Sequence, residues 1–263
     1  MLQNTSQPVS LWAALVVLAM AGSAVAQEPA KAPDRDAFLV GTSRDCPGCD
    51  LRGARLKRRD LRGADLTGAD LTDAVLHAAR LTSARLDHAK LTDANLNRAD
   101  MKRASLAGAD LTGALLYGTD LSGARLTGAT MTQAHMAHSR LTRAVLRGAD
   151  ISLSTLTDTE MADSDLSQAN LRRSNLSDAN LSRSDLSSAR ADGAGFVRAR
   201  LPSAKLRDIS AVHADFYQAN LTGSDLTDGD FRGSRLERAD LDGATTVGMK
   251  TKGALLVDGT VGQ

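Results

Sequence analysis

The sequence predicts an all-β solenoid, a rod made from one short, repeated turn of chain, and three observations carry that prediction. From Leu51 to Leu241 every fifth residue is a repeat centre; of 39 centres, 29 are Leu, four Met, three Phe and one Ile, and only Ala191 and Ala211 are small. Two residues before each centre stands a small side chain in 37 of the 39 repeats, Arg59 and Ile209 being the exceptions. Aromatic residues make up only 3% of a chain that is 42% hydrophobic, so a core of this size has to be built from Leu and Ala in repeating layers.

The five-residue period excludes the ordinary elements. On an α-helix five residues rotate the chain by about 500°, which scatters successive leucines around the axis. On a straight strand five is odd, so successive leucines alternate between faces. A chain that turns once per repeat keeps every centre inward. One such repeat cannot enclose a core, so neighbours must stack.

Taken in order, residues 1–26 carry no Asp, Glu, Lys or Arg; the apolar run Leu11–Met20 leads to Ala24-Val25-Ala26 and then Gln27. This pattern predicts a secretory signal peptide cleaved after Ala26, and hence a periplasmic or secreted protein. The alternative is an uncleaved anchor, Val9–Ala26, at 18 residues the short limit of a membrane span; only then is a membrane contact expected. Residues 27–48, with Pro29 and Pro33, read as a linker and N-terminal cap, in which a short helix over Asp34–Val40 would gather Phe38, Leu39 and Val40. The repeat body spans 49–244. The tail, 245–263, loses the motif but keeps Ala254 and Leu256 in phase, and is expected to lay one last irregular strand over the final turn. Without that cover, end-to-end homodimerisation is the expected consequence of a bare terminal coil.

Stretches such as ADLTGADLTDAVLHAARL from Ala64 and SQANLRRSNLSDANLSRSDL from Ser167 resemble the pentapeptide-repeat family, whose motif is A(D/N)LXX. The resemblance covers Cys49 to about Gly243. It implies a right-handed quadrilateral parallel β-helix with four pentapeptides per coil, the centre and the small residue facing in and the other three positions out. About ten coils and a rod on the order of 47 Å long follow at the spacing of adjacent strands, ~4.8 Å.

A twenty-residue register places Phe196 above Phe216, and Ala191 above Ala211 on the neighbouring side, with Phe231 beneath. Large beside small predicts volume compensation within the coil, and Ile209 fits the same account. Arg59 falls in an inward slot where a bare charge is costly. The expectation is a local bulge that swings it outward; the alternative is an ion pair with Asp60 or Asp65. With Arg52, Arg55, Lys57, Arg58 and Arg62, it forms a basic cluster that reads either as solvated surface or as a site for an anionic or acidic partner.

The only cysteines, Cys46 and Cys49, fit a disulfide across the Pro47-Gly48 turn in an oxidising compartment, or equally two reduced, buried side chains. His135 and His138 flank Met136 on outward positions and read as solvated rather than metal-binding. Catalytic, phosphate-loop and dinucleotide motifs do not occur, no cofactor is implied, and a regular rod offers no cleft in which to shift a pKa.

Net charge is +1, from 32 basic and 31 acidic residues, which gives no footprint for nucleic acid. Asp50 stacks above Asp70, Asp100 above Asp120, and Asp165 above Asp185. Some members of the family mimic duplex DNA and bind DNA gyrase. That requires a continuous acidic surface, whereas this chain mixes signs: 16 basic and 11 acidic residues over 50–150, then 11 basic and 15 acidic over 151–244. The leading expectation is therefore a non-enzymatic, exported structural or protein-interaction scaffold, holding a protein or envelope component. A gyrase-binding DNA mimic is the alternative, and a surface-acting enzyme or metal binder the third.

Overall fold

The computed structural model describes residues 34–263; the proposed signal sequence, its cleavage site and residues 27–33 of the linker lie outside them. The backbone hydrogen bonds account for the repeat. In the pentapeptide centred on Leu71, the Leu71 N–H donates to Lys90 O (2.7 Å), the Asp73 N–H to Thr92 O (3.0 Å) and the Val75 N–H back to Ala54 O (2.9 Å). The Ala74 N–H closes a turn onto Leu71 O (3.0 Å). One donor remains, that of Thr72, and the side chain of Asp70 takes it at 3.1 Å. All five backbone donors are thus used, which gives a physical reason for Asp or Asn before the centre. Thr or Ser after the centre adds a second bond, as from Thr72 Oγ1 to Asp70 Oδ1 at 2.7 Å.

Between successive coils the contact is a single parallel bridge per repeat. Each bridge residue from Asp50 to Arg235 pairs with the residue twenty further on, and a turn follows every centre, so a coil has four short sides and no extended strands. The third residue of each turn takes a positive φ, as the second central position of a type II turn requires. Glycine fills it in many repeats, but Arg58 (φ 56°) and even Leu153 (φ 62°) are held there too.

Leucine centres and alanine slots fill the interior as one continuous core. Hydroxyl residues enter the slots by donating to local carbonyls: Ser164 to Met161 O (2.7 Å) and Ser224 to Leu221 O (2.6 Å). Ser139 alone, among the described buried side chains, has an oxygen with no partner. The Phe196 and Phe216 rings stack at 4.6 Å and 4°, and Phe216 meets Phe231 at 5.4 Å and 50°. All three are fully buried, beside equally buried Ala191 and Ala211, which is the compensation in volume expected from the register.

Inter-coil bonding extends beyond residues 49–244 at both ends. The ladder begins earlier, where the Cys46 N–H donates to Asp65 O (2.8 Å), and continues later, with Thr245, Lys250 and Leu255 all bridged to the coil above. The motif fades after 244, but inter-coil backbone bonding needs no particular side chain and carries on. Only then does the chain reverse, pairing Leu255 with Val261 antiparallel. This cover is partial: Leu236, Leu241, Met249 and Leu256 line an open hollow of ≈260 Å³.

Candidate functional site

At the first coil the cap is α1, Arg35–Val40. Asp34 accepts from the Ala37 N–H (2.9 Å), and Gly41 ends the helix in the left-handed region at φ 94°. Phe38 is buried on the core and Leu39 packs against it, whereas Val40, expected to join them, is 76% exposed. Cys46 and Cys49 are joined by a disulfide, with Cα atoms 5.4 Å apart, just below this helix.

Arg59 departs from both expectations. Its backbone stays in register, its N–H donating to Leu56 O (3.1 Å), so no bulge forms. Its side chain meets neither Asp60 nor Asp65. In the top coil α1, not a further coil, lies over the slot, and the guanidinium rises against it. It donates to Leu39 O (2.8 Å) and to Phe38 O, and lies 5.0 Å from the Phe38 ring centroid. Both carbonyls lie in the last turn of the helix, Phe38 O also accepting from the Gly41 N–H (3.1 Å), and the cation complements the helix dipole. The odd residue in the pattern is thus a pin that holds α1 to the rod.

The rest of the basic cluster separates. Arg52 binds Asp50 (2.6 Å) and Arg62 binds Asp60 (2.5 Å). These contacts, led by the side-chain hydrogen bonds, hold both carboxyls far below the ordinary carboxylate range. Arg55, Lys57 and Arg58 are exposed on successive sides of the coil. His138 stands edge-on to Tyr117 at 5.2 Å, with Nε2 4.0 Å from Asp158. His135 is exposed. Among the described residues no group of three or more His, Cys, Asp or Glu is placed to hold a metal ion, and no helix is long and apolar enough to cross a membrane.

The expected like-charge stacks are present, with each pair compensated. Lys102 lies 3.7 Å from Asp100 and 3.3 Å from Asp120, between the two carboxylates. Asp165 meets Arg147 at 3.0 Å and Asp185 meets Lys205 at 3.6 Å. Farther along, Arg183 reaches Asp163 (2.7 Å), Arg198 reaches Asp178 (2.6 Å) and Arg235 reaches Asp215 (2.6 Å), each one coil apart.

One side of the rod keeps a surplus of cations over this pairing. In the register of twenty, positions 80–85, 100–105, 120–125 and 140–145 form a single side carrying seven basic residues and two acidic ones. Its middle is a cleft of ≈610 Å³ lined by Lys102, Arg103, Ser122, Gly123, Thr142 and Arg143. Linear reading missed it because its cations lie twenty to forty residues apart; the column Arg103, Gly123, Arg143 was the available signal.

A family profile for pentapeptide repeats matches in eight copies, over residues 49–87, 79–118, 119–158, 164–201 and 214–245. The chain belongs to the pentapeptide-repeat family. The fold of this pentapeptide-repeat protein is accordingly a right-handed β-helix solenoid, the hand that parallel crossovers favour. Among solved structures it is similar to HetL, a pentapeptide repeat protein involved in heterocyst differentiation regulation in the cyanobacterium Nostoc. Identity is 28%, over 86% of this chain and 96% of that one, with a TM-score of 0.47. QnrB1, a plasmid-mediated fluoroquinolone resistance protein, is 17% identical over 78% of this chain and 87% of its own, with a TM-score of 0.39. A pentapeptide repeat protein of the Arabidopsis thaliana thylakoid lumen is 30% identical over 46% of this chain and 74% of its own, with a TM-score of 0.23. Comparison with curated proteins found no match.

Proposed function

We propose that this pentapeptide-repeat protein is a non-enzymatic, exported scaffold: a rigid rod of about ten coils that holds a protein or envelope component against its sides. The observation that carries the reading is the paired outward surface. Regular backbone spacing turns one-dimensional sequence into fixed columns of Asp, Arg and hydroxyl groups, a patterned surface suited to recognition. Every Asp whose titration is displaced is displaced downward, as at Asp65, Asp70 and Asp225, where a Thr hydroxyl is the main cause. Such groups are fixed anions, whereas general acid catalysis needs a carboxyl held protonated near neutral pH.

Export, with cleavage after Ala26 and a periplasmic or secreted destination, is part of the proposal; the Cys46–Cys49 disulfide supports it, since such bonds persist in oxidising compartments. The paired, sign-mixed columns count against a gyrase-binding DNA mimic. The half-covered last coil leaves end-to-end pairing of two rods available.

Cell fractionation with N-terminal sequencing, followed by affinity capture from the envelope, tests the reading. A mature chain starting at Gln27 that retains a specific envelope protein is expected. Unprocessed cytoplasmic protein that inhibits gyrase supercoiling would overturn it in favour of DNA mimicry.

A further inference from the structure

We propose that Arg103 and Arg143, which line one cleft a coil to either side of Gly123, bind a doubly charged oxyanion of the phosphate or sulfate type. On the basic side of the rod most cations are already matched. Arg80 lies 3.6 Å from Asp60 and Arg85 3.4 Å from Asp65. Lys102 serves Asp100 and Asp120, and Arg140 stands 3.9 Å from Asp120. Asp163, the acid one coil below Arg143, is drawn the other way by two bonds from Arg183, at 2.7 and 2.8 Å. Arg103, Arg125 and Arg143 are left exposed and outside the ion pairs of the described residues.

Gly123 makes the space between two of them. It occupies the outward turn position at φ 67°, and a Cβ there would lie 3.5 Å from Arg103 Cγ. The Arg103 stem therefore runs along the glycine, and both arginines line the same cleft. Two coil steps separate their Cα atoms by roughly 10 Å, so two long side chains can converge on one ion between them. Backbone donors are spent: the N–H groups of Arg103, Gly123 and Arg143 all bind carbonyls one coil on, at 2.9 to 3.0 Å. Ser122 Oγ is committed to Asp120 at 2.6 Å. Recognition falls to the two guanidiniums and to the Thr142 hydroxyl, which lines the cleft. Two forks outside any close ion pair, Arg143 feeling Asp163 only at longer range, favour a tetrahedral dianion, which can accept from both at once, over a monocarboxylate that neutralises one.

This extends the scaffold reading and stands apart from it: a rod that binds no oxyanion is still a scaffold, and the capture experiment above is read independently. The test is calorimetric titration of the purified full-length protein with inorganic phosphate, sulfate and acetate at low ionic strength. Phosphatidylcholine vesicles with and without phosphatidic acid form a separate arm that distinguishes a free ion from a lipid headgroup. Phosphate or sulfate should bind, or the phosphatidic acid vesicles should, with acetate at least tenfold weaker. The Arg103→Gln/Arg143→Gln double variant should lose tenfold or more of that affinity, while Arg55→Gln/Arg58→Gln, with equal loss of charge, should keep it. Both pairs are exposed, and circular dichroism checks that each variant keeps the β spectrum. Absence of binding in every arm, equal acetate affinity, or equal weakening by both double variants would overturn the proposal.

Discussion

Gly229 is the one glycine among the inward small slots of residues 49–239, and its neighbours show why alanine fails there. A Cβ would stand 2.6 Å from one Phe231 ring carbon, 3.2 Å from another and 3.1 Å from the Leu226 carbonyl oxygen. Phe231 cannot retreat, because Phe216 lies against it at 5.4 Å. Ala precedes Phe196 and Phe216 at the same spacing, so the cause is this ring's position: Phe231, tilted 50° to Phe216 where Phe196 is stacked at 4°, has taken the space of a methyl group. Gly229→Ala should cost ~1–3 kcal/mol, the usual range for overpacking, read as a lower urea midpoint. Adding Phe231→Leu should recover part of the loss; failure to do so would assign the cost to the Leu226 carbonyl instead.

The cap depends on a few side chains. α1 has six residues, too short to hold itself together, and Phe38, Arg59 and the Arg35 bond to Asp50 O (2.6 Å) attach it to the first coil. Charged hydrogen bonds to two terminal carbonyls are worth ~1.5–3 kcal/mol. Arg59→Ala should therefore speed exchange of the Phe38 and Gly41 amides by roughly tenfold or more, at about 1.4 kcal/mol per tenfold, while amides of mid-rod turns keep their protection. Unchanged exchange in α1 would mean that Phe38 and Arg35 suffice to anchor it. The same contact protects the terminal coil, whose open edge would otherwise invite pairing.

Across the whole rod the Asp columns link stability to pH. Thr hydroxyls hold the carboxyls of Asp65, Asp70 and Asp225 below the ordinary value of 3.8. A carboxyl whose folded pKa is depressed contributes stability that is complete above its unfolded pKa and lost as pH falls through the folded one. The urea midpoint should then stay level from neutrality to about pH 5 and decline below 3.8, with no comparable loss on the alkaline side. Because the turns repeat along the rod, the decline should be shared by many coils. A midpoint that stays level down to pH 2 would show that the aspartates act only as turn formers, indifferent to charge.

A five-residue period with a small residue two places before each centre admits only a chain that turns once per repeat, so the solenoid and its inward positions were legible from order along the chain, and the Phe196–Phe216 stack from the twenty-residue coil that the family resemblance implies. Those features depend on spacing, and spacing is written in the sequence. The course of Arg59, the continuation of the ladder to Leu255 and the basic cleft were not, because each depends on what lies one coil away. An inward arginine is a burial problem in mid-rod and a helix cap at the open end, and only position in the stack distinguishes them. The cluster Arg52–Arg62, dense in sequence, is spread around the rod and partly neutralised by Asp50 and Asp60. Arg103 and Arg143, forty residues apart, line one cleft on either side of Gly123. Adjacency along the chain sets the turn; adjacency between coils sets which charges find partners and which are left to bind something else.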